Sequence, residues 1–180
     1  VIDIASGSGD LVFEIKKYTD SVIGTDYNKD MLEIAKQRAK KKNLDVEFAI
    51  ADAMNLQFND NSFDYATISF GIRNVDDVDK CLKEMARVVK PNGKVAIMEF
   101  GQPKGIIGFL YKVYSKYFIP FFGKLLTGDR DSYTYLPLTA AKFPADEAFI
   151  KLMNNTNLYS DTEKYKLSFG IAYMYYGIVK

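Results

Sequence analysis

The fold is decided by the stretch Val1-Ile2-Asp3-Ile4-Ala5-Ser6-Gly7-Ser8-Gly9-Asp10-Leu11. Its first four residues are an apolar run broken only by Asp3, which predicts a short buried strand. The next five residues are small and glycine-rich, so the backbone can turn sharply and come close to a ligand. Leu11, Val12 and Ile15 then recur at helical spacing. Strand, glycine loop and helix in this order are typical of a nucleotide-binding turn.

The glycine spacing does not suit a dinucleotide. A dinucleotide-binding turn has the pattern G-x-G-x-x-G, and Val12 stands where its third glycine belongs. A nicotinamide dehydrogenase is therefore disfavoured. Asp3, inside the strand before Gly7 and Gly9, can support the turn or attract an ammonium group. The pattern suits a ligand with a cationic amino-acid end, and an ordinary tight turn is the alternative.

A second acid, Asp26, ends the next predicted strand. A carboxylate at such a strand end can accept hydrogen bonds from both ribose hydroxyls of a nucleoside. The alternative is that Asp26 caps the helix that follows. Asn28 is a better cap at that position, which leaves Asp26 for the ligand.

Composition narrows the class of protein. With 180 residues we expect a single domain over 1–180, and a net charge of +1 gives no sign of a nucleic-acid surface. The only cysteine, Cys81, excludes an internal disulfide and favours a cytoplasmic location. The chain contains no histidine, so we expect no metal site and no histidine base. Because the sequence begins inside its first strand, we expect that an N-terminal segment is missing from it.

Strands and helices alternate up to residue 100, which predicts a parallel sheet covered by helices on both faces. The remaining strands of this part are predicted at Ser21–Thr25, Asp45–Ile50, Tyr65–Ser69 and Lys94–Phe100, and the helices at Asp10–Tyr18, at Asn28–Lys42 and after a cap at Asp76. Pro91-Asn92-Gly93 is predicted to be a turn. Near the end we predict a helix at Ala145–Asn154, and then strands at Thr162–Leu167 and Ala172–Val179 that form an antiparallel hairpin.

Together with Asp3, Gly7, Gly9 and Asp26, the five strand–helix units resemble a class I methyltransferase that uses S-adenosylmethionine. More specific motifs resemble the ubiquinone/menaquinone-biosynthesis C-methyltransferase family over essentially the whole chain. These motifs are Leu56-Gln57-Phe58, Ser62-Phe63-Asp64, Ser69-Phe70-Gly71-Ile72-Arg73-Asn74-Val75, Arg87-Val88-Val89-Lys90-Pro91-Asn92-Gly93, Met98-Glu99-Phe100, Tyr135-Leu136, Phe143-Pro144, Gly170-Ile171-Ala172 and Gly177.

The resemblance implies a Rossmann-like α/β fold with a mostly parallel seven-stranded sheet and a C-terminal antiparallel hairpin. It implies methyl transfer from S-adenosylmethionine to a ring carbon of a polyprenylated quinol precursor. Methylation of another small molecule and a catalytically silent methyltransferase-like partner are the alternatives. The cofactor positions that follow are Asp3, Gly7, Ser8, Gly9, Asp26, Asp52, Ala53 and Ser69. Ser8 stands where family members often have threonine, and its hydroxyl group is retained.

The resemblance also implies that catalytic residues follow the fourth strand. A quinol ring carbon becomes nucleophilic when the ring hydroxyl loses its proton, so a group must stabilise the phenolate. We predict that Arg73 stabilises this oxyanion and that Asn74 orients the ring oxygen or a water molecule. The alternative for Arg73 is an ion pair with Asp76 or Asp77.

Three residues are predicted to contact the acceptor: Glu99, Tyr133 and Tyr135. Glu99 could instead pair with a lysine at the end of its strand. The two tyrosines could line a pocket for the quinol ring.

The stretch Phe109–Leu126 is rich in aromatic residues, and Pro120 should break or kink a helix there. One interpretation is helices that pack over the sheet. The other is an apolar lid for a prenyl tail that rests on a membrane surface, with lysine side chains at the lipid headgroups. Those lysines are Lys112, Lys116 and Lys124. The two interpretations are compatible, so a location peripheral to the membrane is possible. A homodimer is a separate possibility.

Overall fold

In the computed structural model, residues 1–113, 139 and 143–180 are described. Their strands are β1 (Ile2–Ile4), β2 (Ile23–Asp26), β3 (Glu47–Ile50), β4 (Phe63–Ser69), β5 (Val89–Phe100), β6 (Tyr159–Leu167) and β7 (Ala172–Val179). Their α-helices are α1 (Asp10–Ile15), α2 (Lys29–Lys41), α3 (Val78–Val88), α4 (Gly105–Val113) and α5 (Glu147–Asn155). Short 3₁₀ turns at Ile72–Asn74 and Ser168–Gly170 complete these elements.

The described strands form one seven-stranded sheet in the order β3-β2-β1-β4-β5-β7-β6. Strands β1 to β5 pair in parallel, whereas β7 is antiparallel to both β5 and β6. The predicted mostly parallel sheet and its closing antiparallel hairpin are therefore confirmed.

Two apolar clusters cover the sheet. Ile23 of β2 belongs to the larger cluster, while the next residue, Gly24, lies against Val12 and Phe48 of the smaller one. Successive side chains of a strand point to opposite faces. The clusters therefore lie on opposite faces of the sheet, as the prediction of two covered faces requires.

The predicted turn at Pro91-Asn92-Gly93 is wrong, because these residues lie inside β5. β4 pairs with β5 at Phe63 and Val89, and the register then shifts so that Tyr65 pairs with Lys94. The extra residues of β5 are accommodated as a bulge, in which Asn92 has a φ of 64°. A sequence signal for a turn here marks an irregularity within a strand.

The helix caps are partly as predicted. Asn28 caps α2, since its side chain accepts hydrogen bonds from the N–H groups of Asp30 and Met31. The predicted cap of α3 at Asp76 is wrong. The side chain of Asp77 accepts from the Lys80 N–H at 3.0 Å, and this releases Asp76 from the helix end.

The aromatic stretch Phe109–Leu126 begins within α4, and most of it lies outside the described residues. α4 is nine residues long. Among the described residues, no helix is long and apolar enough to cross a bilayer.

The turns after β1 and β4 pack directly against each other. Ile4 and Ile68 are register partners, so the two neighbouring parallel strands end side by side. Ala5 then adopts a φ of 52°, and a Cβ atom placed on Gly71 would lie only 2.6 Å from the Ala5 Cβ. Glycine at position 71 is what allows the two turns to meet.

We predict that Gly71→Ala lowers the free energy of unfolding by about 1–3 kcal/mol, because it forces two Cβ atoms into one space. The double variant Gly71→Ala/Ala5→Gly should recover most of that loss, since it removes one of the two atoms and glycine tolerates a positive φ. Urea unfolding followed by circular dichroism checks both. A Gly71→Ala protein as stable as the wild type would contradict the close contact.

Candidate functional site

A cavity of about 640 Å³ opens at the carboxyl ends of β1 to β4. The chain runs from β1 outward to β2 and β3 and then returns to the other side of β1 at β4. Ligands of open α/β sheets bind at such a reversal of strand order, and the volume lies within the range of about 300–1,000 Å³ of small-molecule sites. The lining residues are Ala5, Gly7, Asp26, Tyr27, Met31, Asp52, Ala53, Met54, Phe70, Gly71, Asn74, Val75 and Asp76.

The glycine loop is tied to the end of β2. The Gly7 N–H donates to Oδ2 of Asp26 at 2.8 Å, and the Ser6 N–H donates to the carbonyl oxygen of Thr25 at 2.8 Å. Oδ1 of Asp26 accepts from the Asn28 N–H, also at 2.8 Å. A carboxylate offers about four lone-pair sites, so Asp26 can still accept hydrogen bonds from a ligand.

Asp52 lies on the same side of the cavity. The Ala51 N–H donates to the Asp26 carbonyl oxygen at 3.1 Å, which keeps the end of β3 beside the end of β2. Oδ1 of Asp52 accepts from the Met54 N–H at 2.8 Å, and this turn brings Ala53 and Met54 into the lining.

The cavity is acidic. Asp26, Asp52 and Asp76 contribute three carboxylates, and no lysine or arginine lines it among the residues that the structure describes. Such a cavity attracts cations and the hydroxyl and amino groups of a ligand, and it opposes a pyrophosphate.

Two predicted cofactor residues of the glycine loop, Ser8 and Gly9, are not among the residues that line the cavity. The hydroxyl group of Ser8 accepts from Nη1 of Arg38 at 2.8 Å and donates to Oδ2 of Asp10 at 3.0 Å. A Cβ on Gly9 would lie 2.9 Å from the Phe13 ring, so Gly9 serves the packing of α1 on the sheet. In this structure the Ser8 hydroxyl group is thus engaged by Arg38 and Asp10, and a role of Ser8 or Gly9 in cofactor binding stays a prediction.

Asp3 lies behind the cavity, where it is 1 % exposed. Its Oδ1 accepts from the Thr67 hydroxyl at 2.6 Å, across the β1–β4 pair. Burial raises the pKa of the Asp3 carboxyl to about 7, although the bond from Thr67 acts in the opposite direction. Of the two predicted roles, support of the strand end is the one that these contacts favour.

Arg73 and Glu99 form a buried ion pair. Nη1 of Arg73 lies 2.8 Å from Oε1 of Glu99, and their side chains are 8 % and 0 % exposed. The alternatives of Arg73 pairing with Asp76 or Asp77, and of Glu99 pairing with a lysine, are both wrong. Neither Arg73 nor Glu99 is among the residues that line the cavity, and the contact of Glu99 with the acceptor stays a prediction.

The remaining predicted residues divide into three groups. Asn74 lines the cavity, and Ser69 ends β4 one residue before the lining begins. Tyr133 and Tyr135 lie outside the described residues.

Sequence reasoning missed several lining residues, of which Met31 and Phe70 are the most instructive. Met31 lies in the first turn of α2, and its Cε is 3.6 Å from where a Gly7 Cβ would stand. Phe70 has a φ of 55° directly after β4, which turns the chain toward the cavity. No local signal reveals either orientation. The exposed Tyr27, directly after Asp26, could have been found as an aromatic residue beside a predicted ligand acid.

The comparisons with known proteins agree with this geometry. The model of the ubiE/COQ5 methyltransferase family matches residues 1–179. A ubiquinone/menaquinone biosynthesis C-methyltransferase of Bdellovibrio bacteriovorus is 48 % identical over 183 residues, which cover 100 % of this chain and 78 % of that protein. A demethylmenaquinone methyltransferase of Thermus thermophilus is 39 % identical over 181 residues, which cover 98 % of this chain and 81 % of that protein.

Solved structures support the fold alone. A SAM-dependent methyltransferase from Thermotoga maritima superposes with a TM-score of 0.72 at 21 % identity, covering 99 % of this chain and 81 % of that one. One from Aquifex aeolicus gives a TM-score of 0.70 at 16 % identity with the same coverage. The chain therefore has the fold of class I SAM-dependent methyltransferases.

The raised pKa of Asp3 predicts how stability depends on pH. The folded protein holds a proton on Asp3 up to about pH 7, whereas the unfolded chain loses it near about pH 4, so this group's contribution to stability falls as the pH rises between those values. Asp3→Asn cannot titrate. Relative to the wild type, it should gain roughly 2–4 kcal/mol of unfolding free energy between about pH 4 and about pH 8.

Urea unfolding of both proteins across this pH range measures that gain. Asp20→Asn, at a fully exposed carboxylate, is the matched control and should show no such trend. If the difference in unfolding free energy between the wild type and Asp3→Asn stays constant with pH, the raised pKa of Asp3 is contradicted.

Proposed function

The chain belongs to the ubiE/COQ5 methyltransferase family, and we propose that it transfers a methyl group from S-adenosylmethionine to a ring carbon of a polyprenylated quinol precursor in menaquinone or ubiquinone biosynthesis. S-adenosylmethionine is the methyl donor that the family and the fold imply. The observation that carries the proposal is the acidic cavity at the reversal of strand order.

The residues of this cavity fit S-adenosylmethionine. When bound, that cofactor supplies an electrophilic methyl group on a sulfonium centre. In the proposal, Asp26 accepts from the ribose hydroxyls with the lone pairs that Gly7 and Asn28 leave unused. Asp52 and Ala53, which line the cavity, would contact the adenine, and the carboxylates of the lining would favour the cationic amino-acid end.

On the acceptor side, the proposal assigns the phenolate to Arg73 and Asn74. An arginine does not act as a base at neutral pH, since its guanidinium group is not deprotonated in proteins. Arg73 therefore stabilises the oxyanion electrostatically, while Asn74, which lines the cavity, orients the ring oxygen or a water that takes the proton. With no histidine in the chain, the proton acceptor is a carboxylate, a tyrosine or water.

The proposal includes a contact of α4 with the membrane surface. A polyprenyl tail requires apolar surroundings, and α4 exposes 79 % of Ile106 and 67 % of Phe109. These residues are three positions apart and so lie on one side of the helix. The proposed location is the cytoplasm, which the lone buried Cys81 favours, with α4 at the lipid surface.

We predict that Asp26→Ala weakens binding of S-adenosylmethionine by about 10- to 100-fold, the effect of losing a hydrogen bond to a charged group. Asp20→Ala, at a fully exposed carboxylate, should bind as the wild type does. Isothermal titration calorimetry measures both. Equal affinity in the two variants would refute the role of Asp26.

A second prediction concerns turnover. Arg73→Lys keeps a positive partner for Glu99 but loses the planar fork of donors, so kcat should fall by about 10²–10³-fold while S-adenosylmethionine affinity stays nearly unchanged. Arg87→Lys is the matched control, because Arg87 also pairs with a glutamate but holds the carbonyl oxygens of Leu56 and Phe58 instead of the turn after β4. Steady-state kinetics with a quinol acceptor give the answer, and a normal kcat for a folded Arg73→Lys protein would remove Arg73 from the mechanism.

A further inference from the structure

Glu99 is a completely buried carboxylate at the carboxyl end of β5. Three N–H groups donate to it. Oε1 accepts from Nη1 of Arg73 and from the Phe100 N–H, each at 2.8 Å, and Oε2 accepts from the backbone N–H of Arg73 at 3.3 Å. Burying a carboxylate is costly unless it is paired and hydrogen-bonded, so this arrangement commits Glu99 to Arg73.

The guanidinium of Arg73 is correspondingly fixed. Besides its bond to Glu99, Nη1 donates to the carbonyl oxygen of Phe70. The guanidinium carbon lies 5.2 Å from the centre of the Phe100 ring, within cation–π range. A long side chain that is held by a carboxylate, a carbonyl and a ring loses its freedom to change rotamer.

These contacts converge on the turn after β4, defined here as residues 70–75. The Phe70 N–H donates to the Met98 carbonyl oxygen at 2.8 Å, and the Asn74 N–H donates to that of Gly71 at 3.0 Å. Phe70, Gly71 and Asn74 belong to the cavity lining. Glu99 thus anchors, from the neighbouring strand, the turn that forms one wall of the cavity.

The Nε–H of Arg73 takes part in none of these contacts. Its Nε is buried and has no hydrogen-bond partner within the described part of the chain. Unpaired donors at buried positions are rare in folded proteins, and each one requires an explanation, such as a catalytic role or a bound water molecule. Arg73 does not line the cavity itself, but its neighbour Asn74 does, so an acceptor oxygen or a water molecule bound at this wall would satisfy Nε.

We propose that Glu99 is a positioning residue for the methyl-transfer reaction. It holds Arg73 in one orientation, in which Nη1 is committed to the protein and Nε remains to donate to the acceptor's ring oxygen or to a bridging water. This inference rests on the proposed role of Arg73 at the phenolate. It assigns to Glu99 an effect on turnover that acts only through Arg73.

The test is Glu99→Gln, which keeps the shape of the side chain and removes its charge. Its matched control is Glu84→Gln. Glu84 also accepts from an arginine and from a backbone N–H, those of Arg87 and Leu56, but it has no bond to the turn after β4. Because a misplacement of about 1 Å can cost about 100-fold in rate, we expect Glu99→Gln to lower kcat by about 10- to 100-fold. Affinity for S-adenosylmethionine should change little, and Glu84→Gln should lower the melting temperature without lowering kcat.

A double variant separates positioning from a structural role. In an Arg73→Lys background, where the oxyanion contact is already lost, Glu99→Gln should lower kcat by less than about threefold further, because contacting residues that act as a unit are not additive. An equal loss in both backgrounds would overturn the proposal, as would a normal kcat for Glu99→Gln alone. A normal kcat for Arg73→Lys would instead refute the proposed function of Arg73, on which this inference rests.

If Glu99→Gln does not fold, Glu99→Asp takes its place, since it keeps the charge and withdraws the carboxylate by one methylene group. The same two criteria apply to it. Nitrogen NMR of arginine-labelled protein provides a readout independent of activity. The two Nη signals of Arg73 should be separate in the wild type, because the ion pair hinders rotation, and should merge in the Glu99 variant. Signals that are merged already in the wild type would overturn the proposal.

Discussion

The hydrogen bond from the Gly7 N–H to the Asp26 carboxylate is the interaction on which the rest of the site depends. It joins the loop after β1 to the end of β2, two segments 19 residues apart in sequence. With the loop held there, the cavity lies between it and the turn after β4, and the Asp26 oxygens stay at its edge. A loop of small residues has many conformations, so this bond selects the one that leaves a cavity open.

Features with local causes were predictable from the sequence. The strand–loop–helix start and the Asn28 cap follow from residue types and spacing, and the structure contains both. The acids at the ends of two strands were also found, Asp26 as the last residue of β2 and Asp52 after β3, because parallel strands bring their carboxyl ends to one edge of the sheet. The sequence predicts where along a strand a residue lies, and that position decides whether the residue comes near the cavity.

Side-chain direction was not predictable, because it depends on partners distant in sequence. The hydroxyl group of Ser8 faces Arg38, which is 30 residues away, and Glu99 faces Arg73, which is 26 residues away. Gly9 has the composition of a ligand loop but lies against Phe13. In each case, the packing of helices and turns on the sheet decides which residue the side chain or backbone contacts. The periodicity of a single sequence contains no information about these contacts.

The ion pair of Arg73 and Glu99 also resolves an electrostatic conflict that the proposed function creates. Three carboxylates favour a cationic cofactor in the cavity. The positive charge of an unpaired arginine near them would repel that cofactor, because the protein interior screens charges only weakly. A phenolate nevertheless requires hydrogen-bond donors close to its oxygen. Pairing Arg73 with Glu99 cancels most of the net charge seen from the cavity while leaving the directional N–H groups in place. In the proposed function, the two halves of the site would therefore bind a cation and stabilise an anion side by side.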